Sequence, residues 1–431
     1  MIRFSSTPLR MAALLTTAAI AAGALTACSK DDASEADAQK LTILSSFTTG
    51  NATGDHLNKL VKDFTAQTGI QVDIEEANTN DIANTYEASK LADEERDLVI
   101  LNLTPDTSDW LPQGQVVNVK KYLDEWGLTD KIVPEAMKFW TQADADNGVA
   151  GFPYTGFNWP VWYNMDLLKK AGVTQVPATV DDLIAASTKL RAANIPPMAL
   201  GGAEWPVQNF ITWMVQQYVK PDEAQTLFNK GGYCASPGAV QGLDLLGKLR
   251  DSGVFVDNVQ GYTADQMTSA YFNGKAAMMP SGSWSYTEAP PAIAAATQLA
   301  GFPLPTGGVY TKPTAFQGHS NGFFLSPNGE KKIASVEKFI KYMYDQPVLQ
   351  GWVSEGSQIM SVKNDILGSV TSTQPLVVAG NEITPKVDYL LLPDSYIPSG
   401  TDYSPAGSEF LGKKGQTGAE FCKTLDKLYK K

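Results

Sequence analysis

Between Lys40 and Asn102, apolar strands alternate with amphipathic helices, and this alternation limits the possible folds more than any other feature of the chain. "KLTILSSF" (40–47) and "RDLVILN" (96–102) read as buried strands, and "IQVDIEE" (70–76) as a strand with one polar face. "TGDHLNKLVKDFTAQTG" (53–69) carries apolar residues at helical spacing and stops at Gly69, a C-cap glycine. "NDIANTYEASKLA" (80–92) reads as a second helix. A β-α-β-α-β run of this kind implies an α/β fold with a mostly parallel sheet and helices on both faces. Ligands of such sheets sit beyond the carboxyl ends of the strands. Those ends are "SSFTTGN" (45–51) and "NLTP" (102–105). Neither is a G-x-G-x-x-G loop or a P-loop, so nucleotide binding is not supported.

After "GVAGFPYTGFNWPVWYNMDLLKKAG" the pattern becomes mainly helical, over roughly residues 165–297. One helix of this block opens with Thr263 and Gln266 at capping-box spacing. Strand signals return in "KAAMMPS" and "GFFLSP", and "EKKIASVEKFIKYMYDQP" and "PVLQGWVSEGS" read as helices. An α/β unit that is interrupted and then resumed implies two lobes that exchange segments and share a hinge.

The first residues are not part of the fold. Arg3 and Arg10 precede the apolar run "MAALLTTAAIAAGAL" (11–25), which is too short to span a membrane, and no acidic residue occurs before Asp31. The run ends in "LTAC", which resembles the lipobox of bacterial lipoproteins; an ordinary signal peptide with a chance cysteine is the other reading. Residues 1–27 are then a signal peptide, Cys28 the acylated residue, and 28–39 a flexible tether with nothing to bury. Removing Arg3 and Arg10 takes the formal charge from −12 to −14. That balance argues against nucleic acid and anionic partners. With Cys28 acylated, Cys234 and Cys422 remain as a pair in a disulfide-permissive compartment, either bonded to each other or buried as free thiols.

"WYNMDLLKKAGV" (162–173), "VPATVDDLIAASTKL" (176–190) and "FNGKAAMMPSGSW" (272–284) resemble, in order and spacing, three blocks of the family 1 extracellular solute-binding proteins. These are carbohydrate-binding lipoproteins of ABC importers, with the maltose-binding proteins as relatives. The resemblance implies a two-lobe periplasmic-binding-protein-like fold of type II, each lobe a mostly parallel sheet flanked by helices. It places 40–156 and 298–343 in lobe 1, and 157–297 and 344–431 in lobe 2. It also implies a sugar ligand, ABC permease subunits as partners, and a monomer held at the extracytoplasmic face of the membrane by its lipid. The many polar loop residues and the aromatic count lean towards an oligosaccharide.

Sugar rings offer an apolar C–H face and a hydroxyl rim, so their sites need aromatic platforms and polar side chains. Trp284, with Ser283 beside it, is expected to stack on a ring; the alternative is a core plug. Glu204 and Trp205 open a helix and are the next choice, against a helix-end charge and simple packing. Phe47, Thr48 and Asn51 come from "SSFTTGN", where Ser45 and Thr48 could equally bond their own turn. Asn102 ends a strand. Tyr154, Asn158 and Trp159 flank the crossover, with one of these aromatics expected in the hinge. His319, Asn321 and Trp352 complete the candidates.

No cofactor or metal site is expected, as only His56 and His319 are available and no H-E-x-x-H or G-x-S-x-G occurs. A glycosidase would need two carboxylates across the cleft. The acidic pairs (Glu75-Glu76, Asp93-Glu94-Glu95, Asp181-Asp182, Asp222-Glu223) instead read as solvated faces. The expectation is a binding protein rather than an enzyme, the alternatives being a binder of peptide or chelate, or a carbohydrate-active surface enzyme.

Overall fold

In the computed structural model, the structure describes residues 40–142, 148–356, 358–370, 372 and 374–430. The signal segment, Cys28 and the tether lie outside the described residues. Strands β1 (Lys40–Ser45), β2 (Gln71–Glu76) and β3 (Leu98–Asn102) alternate with helices α1 (Ala52–Thr68) and α2 (Ile82–Leu91). They pair in parallel in the order β3-β1-β2, as the sequence alternation implies. Helix α1 starts at Asn51, whose side chain accepts the Gly54 N–H at 2.8 Å, and ends at Gly69 in the left-handed conformation. Its buried stripe of Leu57, Leu60, Val61 and Phe64 faces the sheet, each large side chain contributing ~1.5–3 kcal/mol.

Strand β4 (Phe152–Trp159) joins this sheet and leads through β5 (Val161–Asn164) into a helical region. That region holds α3 (Val180–Ala192), α4 (Trp205–Gln216), α5 (Pro237–Asp251) and α6 (Ala264–Phe272). The Thr263–Gln266 capping box on α6 is formed in both directions. Strands β6 (Met278–Pro280) and β7 (Thr297–Ala300) flank β5, and both are antiparallel to it. The mostly parallel sheet expected in each lobe therefore holds for β1–β3 but not for this second sheet. There, parallel pairing survives only as single bridges such as Met198 with Phe255 and Met278.

Strand β8 (Thr314–Leu325) runs back beside β4, followed by α7 (Ile333–Met343), α8 (Gln346–Ser354), β9 (Ile359–Met360), β10 (Asp388–Leu390), α9 (Ser404–Gly412) and α10 (Gly418–Lys427). The large sheet has the order β9-β4-β8-β3-β1-β2, with β10 pairing the start of β8.

Two buried clusters define two lobes. One gathers β1–β3, α1, Phe152, Tyr154 and Phe323–Leu325; the other gathers α3–α6, Phe157, Trp159 and Phe316. Both β4 and β8 thus begin in one core and end in the other, and they are the crossing segments. The clusters move two expected boundaries. Leu299, Phe302 and Phe316 belong to the second core, so 298–316 is not part of lobe 1. Tyr344, Leu349, Trp352 and Met360 belong to the first, so 344–362 is not part of lobe 2. The physical reason is that α8 lays its apolar face on α1, where His56 meets Trp352 edge-on at 5.0 Å. An amphipathic pattern does not say which sheet it covers.

Cys234 and Cys422 are bonded, with Cα atoms 5.1 Å apart. The bridge ties α10 to the second lobe. Asp426 adds to it by accepting the N–H groups of Gly232, Tyr233 and Cys234 at 2.7–3.1 Å.

Candidate functional site

The crossing strands bring residues from both cores to one place. On the second-lobe side, β6 breaks at Pro280, and Ser281-Gly282 turns the chain so that Trp284 lies back over its own backbone. A Cβ on Gly282 would stand 2.0–2.3 Å from the Trp284 ring, so only glycine permits this fold-back. The half-buried Trp284 ring meets Phe157 at 5.2 Å, Trp159 at 5.5 Å and Trp205 at 5.9 Å, all edge to face. Trp205 is also half-buried and meets Trp159 at 5.3 Å. Beneath them, Trp159 packs on Phe316 and Trp213. The result is a layered aromatic wall, with Trp284 and Trp205 outermost.

Polar groups frame this wall. The Asn158 N–H donates to Ser283 Oγ at 3.3 Å, and Tyr389 OH donates to Asn158 Oδ1 at 3.4 Å. Glu204 is half-buried and its Oε2 accepts the Ala264 N–H at 2.9 Å, capping α6. Its charge is thus placed at the start of α6, not of α4, the helix that it precedes.

On the first-lobe side, the loop after β1 and the end of β3 lie at the carboxyl edge of the parallel strands. Ser45 Oγ accepts the Phe47 N–H at 3.0 Å, fixing a local turn, and Thr48 Oγ1 accepts from Asn51 Nδ2 at 3.2 Å. Phe47 is half-buried against Trp352 at 5.6 Å. Asn321 Nδ2 donates to Asn102 Oδ1 at 2.9 Å across the β8–β3 pair. His319 Nδ1 shares a hydrogen bond with Ser361 Oγ at 3.2 Å, and burial holds its pKa below the usual histidine range.

Five expected site residues are buried: Asn158, Ser283 and Asn321 keep at most 7% exposure, and Tyr154 and Trp352 keep none. Tyr154 is fully buried, with its OH donating to the Met343 carbonyl at 2.8 Å. Trp352 is fully buried between Phe47, His56 and Tyr154. Both are packing residues of the first core in this structure, and they support the loop of Phe47 rather than line the cleft. Among the acidic pairs, Glu75 binds Arg96, Glu76 accepts from Thr49 and Asp182 closes the cap of α3 at the surface, whereas Glu95, expected on a solvated face, is buried beside Lys90 at 3.5 Å.

Residues that had no assigned place in the site emerge here. Phe157 is one of them, and it forms the inner layer of the wall with Trp159, which the sequence had already placed at the crossover. Asp394 follows Leu392, whose side chain and Phe157 close on the same point above Gly318. Burial pushes the Asp394 carboxyl up to about 7, with no charged neighbour to offset it. Asp106, exposed in the loop after β3, has its pKa raised by partial desolvation first and then by the charge of Asp402. A lone aspartate in a Pro-Asp-Ser turn carries no sequence signal for this.

The sequence profile of the bacterial extracellular solute-binding proteins matches residues 50–348. The chain belongs to that family. Its fold matches a probable secreted solute-binding lipoprotein from Streptomyces coelicolor at 34% identity and a TM-score of 0.78, covering 91% of this chain and 99% of the other. A chitin oligosaccharide binding protein shares the fold at 24% identity and a TM-score of 0.77, covering 91% and 98%. A multiple sugar-binding protein of Streptococcus mutans is 24% identical over 370 residues, 82% of each chain. The two-lobe α/β architecture is therefore that of solute-binding proteins. Among the described residues no helix is long and apolar enough to cross a membrane.

Proposed function

We propose that this solute-binding protein captures a sugar, with an oligosaccharide favoured over a monosaccharide, between its two lobes and hands it to an ABC importer. The observation that carries the reading is the aromatic wall of Trp284, Trp205, Trp159 and Phe157, framed by Asn158 and Ser283 and placed where two strands cross between the cores. Flat apolar rings with amide and hydroxyl edges match the two kinds of surface that a pyranose presents. The names of the S. mutans relative and the chitin oligosaccharide binding protein point the same way. The net charge of −12 disfavours anionic cargo.

Phe47, Thr48, Asn51, Asn102, His319 and Asn321 are proposed as the opposing face, brought onto the sugar when the lobes close about β4 and β8. Trp284 and Trp205 are the proposed platforms. No chemical step is involved. Cys28 is proposed as the acylated anchor that keeps a monomeric binder at the outer face of the membrane, where diacyl and triacyl chains hold firmly.

A thermal-shift screen tests this reading. The panel holds maltose-, xylan-, arabinan-, raffinose- and chitin-derived oligosaccharides and monosaccharides, with peptides and metal ions as controls. A ligand at a hundred times its dissociation constant adds about 2.7 kcal/mol of stability, which shifts the melt by a few degrees. One sugar class should raise Tm, and Trp284→Ala should abolish the shift. A shift with peptide or metal and none with sugar contradicts the proposal.

A further inference from the structure

The centre of the aromatic wall holds a polar group with no partner. Trp159 is 3% exposed, and its Nε1–H reaches no acceptor. An indole nitrogen can only donate, and burying a donor without an acceptor costs about 1–3 kcal/mol. Native cores rarely keep such a group without a reason. The surroundings explain why no protein atom serves it. Five aromatic rings enclose Trp159, namely Phe157, Trp205, Trp213, Trp284 and Phe316. Trp213 is fully buried and spends its own Nε1–H on Thr314 Oγ1 at 2.9 Å. The inner side of the wall is thus satisfied and closed.

The outer side differs. Trp284 and Trp205 are half-exposed, and Trp284 rests on Gly282 with no side chain beneath it. A ring held by edge contacts and a bare glycine can turn away with little else to break. Trp205, by contrast, is fixed at the first turn of α4.

We propose that Trp284 is a movable cover over Trp159, and that an incoming sugar displaces it and accepts the Trp159 Nε1–H on one of its oxygens. The inference rests on the proposed sugar-binding function and adds a specificity residue to it. Trp284 then stacks on the ring it has admitted, while Trp159 reads one oxygen of that ring. A site built around a donor rejects analogues that lack the matching oxygen far more strongly than it rejects a changed methylene. Trp159 would therefore distinguish a sugar from its deoxy analogue at one position.

The test is an NMR titration of the full chain carrying 15N in its tryptophan indoles, with maltotriose, xylotriose, raffinose and chitotriose as separate probes. The Trp159 peak is identified by its absence in Trp159→Phe. If that variant does not fold, contacts of its proton to the Trp205 and Trp284 rings identify it in the unaltered protein. With the sugar that binds, the Trp159 indole proton should move downfield and its exchange with water should slow. In Trp159→Phe the affinity should fall about tenfold, while Trp284 still responds. Movement of the Trp284 peak with the Trp159 peak unchanged overturns this inference and leaves sugar binding standing. No movement of any indole peak with any probe overturns both.

Discussion

At the scale of single residues, the chain's chemistry at the proposed site depends on one glycine and on carboxylates without partners. A methyl group on Gly282 would occupy the space of the Trp284 ring, at 2.0 Å from its nearest atom. Gly282→Ala should push Trp284 off its bed, weakening sugar binding by tenfold or more while lowering Tm by only a few degrees. Calorimetric titration and a melt check both parts. Asp394 gives a pH signature. Its folded pKa of about 7 lies above the usual aspartate value near 3.9, so the folded state holds the proton more tightly than the unfolded chain. Its stabilising contribution is therefore complete below about pH 4 and is lost as pH rises through about 7. Asp394→Asn should stabilise the fold relative to the unaltered protein at pH 8, by at most about 4 kcal/mol of unfolding free energy, and change it little at pH 4. An equal effect at both pH values contradicts the assignment.

At the scale of elements, two devices hold the second lobe together. Thr263 and Gln266 form the capping box of α6, and Glu204, the residue before α4, caps the same turn. Thr263→Ala should cost about 1 kcal/mol, read by denaturant unfolding. The Cys234–Cys422 bridge closes a loop of 188 residues. On the chain-entropy account such a loop is worth about 5 kcal/mol. Reduction should thus lower Tm markedly, less so because Asp426 also holds the helix end.

Elements are also where sequence reading worked best. The strands β1–β3, Gly69 as a C-cap and the α6 capping box are set by neighbours in sequence, and all are present. Trp284 behind its Pro-Ser-Gly turn was legible for the same reason. Trp352 was not, because a tryptophan in an amphipathic helix has one pattern whether it faces a core or a cleft, and Tyr154 was not, because β4 is buried along its whole length. Phe157 and Trp159 stood in plain view in "YTGFNW". Their layering depends on β4 crossing between cores, which involves β8 more than 150 residues away.

At the scale of the molecule, the two cores are joined through β4 and β8, and closeness there is strict. A Cβ on Gly156 would stand 2.0 Å from the Gly318 carbonyl oxygen, and the pairing shifts register between Gly318 and Asn321. Such a bulge bends the strand locally, which suits a hinge. The loops facing each other across the gap include Asp106 and Asp402, whose like charges oppose approach. Asp106→Asn should strengthen sugar capture a few-fold near neutral pH, and the gain should shrink as acid protonates Asp106 in the unaltered protein.

The most direct test of capture by closure is small-angle X-ray scattering of the protein with and without a saturating sugar from the thermal-shift panel. The account predicts a smaller radius of gyration with sugar, and no change in Trp284→Ala under the same conditions. Tight sugar binding with an unchanged radius of gyration would contradict closure of the two lobes over the ligand.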